Sequence, residues 1–341
     1  MIRRLFVSTC LLLAIVSIGP LAAQPSKAAA KTAAPRSTRV VRHTPWGDPD
    51  LQGVWNDATS TPLQRPSGVA GKDTLSDEEA AGFQEELAND LTRDRRDGGA
   101  DVDVNRAYNE HWMDARRLKI TPDRRTSLIV DPDGRIPPLV KLSPERERAR
   151  AARVAANARF NAGLPDSYKD MSLPVRCIIR TDSPPYLPTI YNNDFQIFQS
   201  PGLVVIAPEM IHSARMIPVD GRPHLGKNLR QWLGDSRGHW DGDTLVVETT
   251  NFRKDDGVIF QNANPDTFRI TERFTRVDAN TLNYEFTVED PQTWTRPWTA
   301  RIPWTKIDPD EQMYEYACHE DNYDQVHFLV GARAREQRGE K

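Results

Sequence analysis

The sequence predicts an α+β chain, mainly β with helices in its N-terminal part, whose C-terminal portion is an antiparallel β barrel or sandwich. Three observations carry that expectation. From Phe195 onward the pattern changes to successive short strand-like runs, with apolar residues at every second position from Leu282 to Val288. Those runs are separated by turns rich in Asp, Gly and Asn, and no strand–helix–strand crossover pattern interrupts them.

Taken in order, the first 23 residues have the three parts of a secretory signal. Arg3 and Arg4 precede an apolar run from Leu5 to Ile18, and a break at Gly19-Pro20 leads to Leu21-Ala22-Ala23. Cleavage after Ala23 is expected, giving a periplasmic or extracellular protein. The run is too short to span a bilayer comfortably and no later segment is as apolar, so stable membrane insertion is not expected. Residues 24–43, rich in Ala, Lys, Pro and Ser, read as a flexible tether.

Residues 44–170 read as a helical and irregular part packed on the barrel, and residues 171–335 as the barrel or sandwich itself. TPWGDPDLQGVWN (44–56) interleaves aromatic and apolar residues with Gly and Pro, as in an irregular segment that pins side chains onto a core. SDEE (76–79) is a capping box that starts a helix reaching about Leu91. A short helix is expected around residues 108–117. Ser143-Pro144-Glu145 opens a further helix through an Arg- and Ala-rich run to Phe160.

In the strand region, FQIFQ, LVVIA and MIHSARMI come first, and WDGDT (240–244) turns into LVVET. Residues 269–277 and 281–288 flank Asp278-Ala279-Asn280 as a hairpin, with Leu282, Tyr284, Phe286 and Val288 on one face. Strands at 298–304 and 313–318 complete the expected meander.

The chain carries 45 basic and 48 acidic residues, a net charge of −3, with the signs interspersed. Nucleic acid and anionic membrane are therefore poor partners, and a small-molecule ligand or substrate is the better fit. Composition leaves the oligomeric state open. Of three cysteines, Cys10 lies in the signal, leaving Cys177 and Cys318 for an oxidising compartment. A disulfide is the simplest reading and would contribute roughly 3–5 kcal/mol by loop closure. The alternative is a pair of buried thiols.

The densest chemistry lies at residues 209–240, which hold three histidines, four arginines and two tryptophans directly after an apolar strand. Buried polar groups need partners, so this stretch builds either a satisfied network or the wall of a ligand site. Candidate acid/base and charge-stabilising residues are His212, His224, His319, Arg215 and Arg237. Candidate ligand contacts are Arg222, Asp235, Asn192, Asn193, Glu320 and Trp232.

Each residue has a plainer reading beside the functional one. If residues 209–217 form a regular strand, His212 and Arg215 face opposite ways, and Glu209 and Arg215 make a structural ion pair. Ser236 lacks the strained elbow of a hydrolase nucleophile and fits turn chemistry. Asn192-Asn193 fits a turn, Arg237 a fork to Asp235, and the tryptophans core packing. His327 fits a structural role. No cofactor is expected; a divalent metal held by His212, His224 and His319 is the alternative, although no motif places two ligands on one element.

Seven blocks resemble a large family of exported bacterial proteins: TPWGDPDLQGVWN, RTSLIVDPDGRIP, YNNDFQIFQSPG, EMIHSARMIPVDGRPH, WLGDSRGHWDGDTLVVETTNF, ERFTRVDANTLNYEFTVEDPQTWTRPWT and YEYACHEDNY. They cover nearly all of the chain beyond the signal. The family more often carries Gly where this chain has Asp321. The resemblance implies export rather than a particular reaction, and the meander is also similar to calycin-type barrels, which hold small ligands in the barrel mouth. Two functions follow as expectations: a periplasmic lyase, hydrolase or isomerase acting on a small polar organic or carbohydrate-derived substrate, or a barrel that binds such a molecule without turnover. A structural envelope protein is the third.

Overall fold

Alternation is strict in the hairpin expected at 269–288, and it decides which face is buried there. In the computed structural model, which describes residues 42–91, 99, 118–180, 182–211, 213–254, 260, 263–308 and 310–340, the eight-residue β8 (Arg269–Arg276) and nine-residue β9 (Thr281–Glu289) bury every second side chain. Leu282, Tyr284, Phe286 and Val288 are all at 0% exposure. The signal, the tether to residue 41, the expected helix at 108–117 and His212 lie outside the described residues.

Ten strands form one sheet: β1 (Gly53–Asn56), β2 (Ile129–Asp131), β3 (Asp194–Ser200), β4 (Leu203–Pro208), β5 (Arg215–Pro218), β6 (Asp235–Asp241), β7 (Thr244–Thr250), β8, β9 and β10 (Trp298–Lys306). Every pairing is antiparallel, in the order β5-β4-β3-β1-β10-β9-β8-β7-β6, with β2 also paired to β10. The two ends of that order, β5 and β6, come side by side, so the sheet is a nearly closed barrel rather than a sandwich. Sequential hairpins make most of it: Gly242, at φ +57°, turns β6 into β7, and Asn280 N–H donates to Asp278 Oδ1 (2.8 Å) between β8 and β9.

Aromatic rings occupy the interior. Phe195 stacks on Trp304 with centroids 4.5 Å apart, Trp304 meets Tyr284 at 5.0 Å and Tyr284 meets Phe274 at 4.9 Å. Trp294, Trp298 and Trp304 are core residues, the plainer reading of them; Trp55 is anchored in the same core, and Trp240 packs against it only partly buried. β1 and β2 come from the stretch before residue 170 and are built into the barrel wall. Strands of four and three residues give no readable periodicity, which is why 44–56 looked merely irregular.

Of the three expected helices, the two that fall on described residues both form. In α1 (Asp77–Leu91) Ser76 and Glu79 exchange the reciprocal capping bonds, Glu79 N–H to Ser76 Oγ at 3.2 Å and Ser76 N–H to Glu79 Oε2 at 2.8 Å. In α2 (Pro144–Asn161) Ser143 Oγ accepts the Arg146 N–H at 3.3 Å and Pro144 occupies the first turn. A third helix, α3 (Asp324–Gln337), was not expected: its N-terminus has no side-chain cap, and only Ala332 is buried. It packs on the end of α2 through Phe160 and Phe328, 4.9 Å apart. His327 is exposed on α3, 6.1 Å from the Tyr323 ring, so its structural reading is not supported by burial.

Two expected strands fail. Residues 313–318 are irregular and largely exposed because no sheet edge lies beside them to pair with. Residues 209–211 and 213–214 are not strand either: the chain leaves β4 at Pro208, Ile211 takes φ +63°, and β5 begins only at Arg215. The face assignments that assumed a regular strand over 209–217 are therefore void.

Cys177 and Cys318 are bridged, with Cα atoms 5.6 Å apart across 141 residues. Beyond the bridge the turn is formed with Asp321 itself in the left-handed region, φ +52°, a conformation Asp tolerates better than most residues. Among the described residues no helix is long and apolar enough to cross a membrane.

Candidate functional site

Backbone hydrogen bonds join every neighbouring pair in the barrel except β5 and β6, and a side chain does the work there. Arg215, the first residue of β5, points inward at 2% exposure. Its Nε donates to Ser236 Oγ of β6 (2.9 Å) and Nη2 to Thr249 Oγ1 of β7 (2.6 Å). Both terminal nitrogens bond Glu272 of β8, Nη1 to Oε1 at 3.0 Å. The Tyr284 hydroxyl donates to the same Oε1 (2.9 Å) and accepts the Tyr186 N–H (3.1 Å). Arg215 thus ties four strands together.

Electrostatics follow from that burial. Burial opposes the Arg215 charge, but Glu272 and then Tyr186 outweigh it, so its pKa lies above the ordinary arginine value. Burial pushes the Tyr186 hydroxyl up to about 12, with the Arg215 charge opposing and the Glu272 charge assisting. Tyr284 is raised in the same way, by burial first and Glu272 second. Both phenols therefore hold their protons further into alkaline pH than an ordinary tyrosine.

The two seam strands approach closely because Gly238 has no side chain. A Cβ there would stand 2.8 Å from Val219 Cγ1 and 3.0 Å from Ile217 Cγ2. Gly234, at φ +72°, turns the connecting loop into β6 with the Thr250 carbonyl 2.7 Å from where a Cβ would be.

The loop between β5 and β6 folds back and is clasped by Asp235, which is 2% exposed. Asp235 Oδ2 accepts the Leu225 N–H (2.9 Å) and lies 2.8 Å from His224 Nδ1; Oδ1 accepts from Arg237 Nη1 at 2.6 Å. Arg237 Nε donates to the Pro223 carbonyl (2.9 Å). The fork from Arg237 to Asp235 is therefore real, and it anchors the loop. The His224 ring is partly exposed, with Nε2 3.9 Å from Glu248 Oε2.

Between this loop, β5 and residues 178–179 lies a cavity of about 650 Å³. Among the described residues Arg215, Arg230, Arg237 and Arg253 line it, with Asp235 the only acidic one, and Trp232 supplies an aromatic face. The Arg253 guanidinium sits 4.4 Å from the Trp232 ring centroid. Arg230 is oriented by the Phe252 and Pro265 carbonyls (3.0 and 2.9 Å) and by Asp266 (2.6 Å).

The structure thus gathers Arg215, Asp235, Arg237, Trp232 and His224 at the seam and leaves other candidates elsewhere. Arg222 is exposed and turned onto Asp220. Asn193 is buried in a turn, accepting the Thr189 N–H at 2.7 Å, and Asn192 takes φ +54°, which is the turn chemistry their types suggest. His319 and Glu320 are exposed beyond the disulfide, outside the cavity wall, although Ile178 beside Cys177 lines it.

Two specific expectations are corrected. Arg215 pairs with Glu272, not Glu209; Glu209 Oε1 instead accepts the Tyr314 N–H at 3.1 Å. Ser236 Oγ accepts from Arg215 and shares a hydrogen with Thr249 Oγ1 (3.1 Å), so it is bound into the network rather than presented as a nucleophile. Sequence reasoning missed Glu272, Tyr284, Thr249, Arg230 and Arg253. Glu272 did leave a signal: it stands between Ile270 and Phe274 on the buried face of an alternating strand, where a carboxylate needs a partner. Among the described residues no group of three His, Cys, Asp or Glu side chains is arranged to hold a metal ion.

No known family model matches the chain, and no curated protein matches it.

Proposed function

We propose that the protein binds a small organic anion in the seam cavity. The observation that carries this reading is the wall itself: four arginines and one aspartate among the described residues around about 650 Å³, with Trp232 under Arg253 as a flat face. A space of that size suits a compact ligand, and oriented guanidinium groups are matched to carboxylates. The secretory signal pattern, the resemblance of its sequence blocks to exported bacterial proteins, and the disulfide support an exported setting in which such molecules are met outside the cytoplasm.

Calorimetric titration with benzoate, phthalate and malonate, each beside its neutral amide, tests the reading. The expected result is binding of at least one anion without its amide, weakened about tenfold or more in Trp232→Ala and Arg253→Gln while the unfolding midpoint holds. Equal response to anions and amides, or no response to either, contradicts it.

A second reading, acid/base turnover, is favoured by one feature. His224 Nδ1 lies 2.8 Å from buried Asp235, and in the tautomer that donates there Nε2 is a proton acceptor beside the cavity wall. Mass spectrometry of incubated ligands decides between them. A product that disappears in His224→Gln while binding persists marks an enzyme; ligand recovered intact marks a binder.

A further inference from the structure

Helix α1 carries an apolar stripe of which only the first turn meets tightly packed neighbours. Ala80 is buried, whereas Phe83 and Leu87, one and two turns further on, are half-buried. Under them lies a cavity of about 320 Å³ between α1, residues 59–63 and residues 187–190, with Leu118 and Leu128 among its walls. It shares no described lining residue with the seam cavity.

Hydrogen bonds hold these walls in place. The Lys119 carbonyl accepts the Ser60 N–H (3.0 Å) and the Thr59 hydroxyl (2.7 Å), and the Thr121 N–H donates to Thr61 Oγ1 (3.0 Å). The Pro62 and Leu63 carbonyls accept the N–H groups of Leu128 (2.9 Å) and Ile129 (3.2 Å). Gln84 of α1 accepts the Ile120 N–H at 2.7 Å, and the Thr189 N–H donates to Asn193 Oδ1 at the same distance. The space is therefore preformed by the fold.

Four hydroxyls among the described residues line it, and three are committed. Thr59 donates to the Lys119 carbonyl, Thr61 to Thr121 Oγ1 and Thr189 to the Tyr191 carbonyl. Ser60, at 4% exposure, is the fourth, and its Oγ finds no hydrogen-bond partner among the described residues. A buried hydroxyl left unpaired costs free energy, and a ligand that supplies the missing partner recovers it.

We propose that this cavity is a second binding site, for a compact apolar molecule that carries one hydroxyl or carbonyl and pairs it with Ser60 Oγ. At about 30 Å³ for each water-sized group, the volume admits on the order of ten non-hydrogen atoms. Leucine and phenylalanine walls suit an alicyclic or aromatic body, and the serine selects a molecule with one polar atom over its hydrocarbon analogue. The proposal is independent of anion binding at the seam.

Saturation-transfer NMR on the full chain with menthol and with menthane tests this. Menthol is expected to bind and menthane to bind about fivefold more weakly. Ser60→Ala should bring menthol down to the affinity of menthane, leave menthane binding as it was, and keep the unfolding midpoint of the ligand-free protein, since the hydroxyl removed has no partner to lose. Leu87→Trp fills the cavity and should abolish binding of both. Should Leu87→Trp disturb α1, seen as lost helical circular dichroism, Ser60→Ala alone decides. Trp232→Ala, in the seam cavity, should leave menthol binding unchanged. No menthol binding, equal affinity for menthol and menthane, menthol binding indifferent to Ser60→Ala, a lowered midpoint in ligand-free Ser60→Ala, or loss of binding in Trp232→Ala overturns the proposal.

Discussion

The wall formed by β8, β9 and β10 and the seam between β5 and β6 solve the same problem by different means. Along the wall, eight successive residue pairs register β8 with β9 and eight register β9 with β10, so the backbone supplies cohesion and the inward faces are free to be apolar. At the seam that ladder is missing, and a buried arginine reaching Ser236, Thr249 and Glu272 takes its place. The difference teaches where polar chemistry collects in this chain. It gathers where the backbone stops pairing, because closing a barrel there requires side-chain hydrogen bonds, and the loop that covers the gap leaves a cavity behind it.

That contrast can be broken most forcefully at Glu272. Removing it leaves the Arg215 charge buried without its carboxylate, and Glu272→Ala should cost about 3–5 kcal/mol in urea unfolding. Replacing both partners, Arg215→Met with Glu272→Leu, should recover most of that loss. A single variant no more harmful than the double would show that the pair is not what holds the seam.

The disulfide is next. Cys177→Ser with Cys318→Ser should cost about 2–5 kcal/mol and lower the thermal midpoint. Exposed residues 313–320 should then become a protease-sensitive site, readable by limited digestion.

Alkaline pH sharpens the comparison further. Tyr186 titrates near 12 when folded but near its ordinary value of 10 when unfolded. Its contribution is therefore present below pH 10 and is lost as pH rises through 12, by on the order of 2–3 kcal/mol. Tyr284, raised in the same direction, adds to the loss. Tyr186→Phe should flatten the fall in a pH series of denaturation curves; an equally steep fall would assign it to other groups.

The smallest effect is expected at the loop clasp. His224→Ala removes one partly exposed bond to Asp235 and should cost about 1 kcal/mol, with faster amide exchange confined to residues 219–234.

These two regions also differ in how well the amino-acid pattern reveals them. The wall is legible: in β9 each second residue is apolar, the Asp278-Ala279-Asn280 turn sits between two such runs, and both were placed within a residue or two. The capped starts of α1 and α2 are legible for the same local reason. The seam is only half legible. The polar stretch at 209–240 announced a network, but the arginine's partner lies 57 residues away on β8, and no local rule selects Glu272 over Glu209. The left-handed backbone at Ile211 defeated the alternation argument, and α3 escaped notice because it has neither a side-chain cap nor a strong buried stripe.

The most direct test of the seam account is hydrogen exchange on Arg215→Met, read strand by strand. The account predicts lost protection in β5 and β6, at residues 215–218 and 235–241, while β9 and β10 keep theirs. Protection lost evenly around the barrel, or kept at the seam, would contradict it.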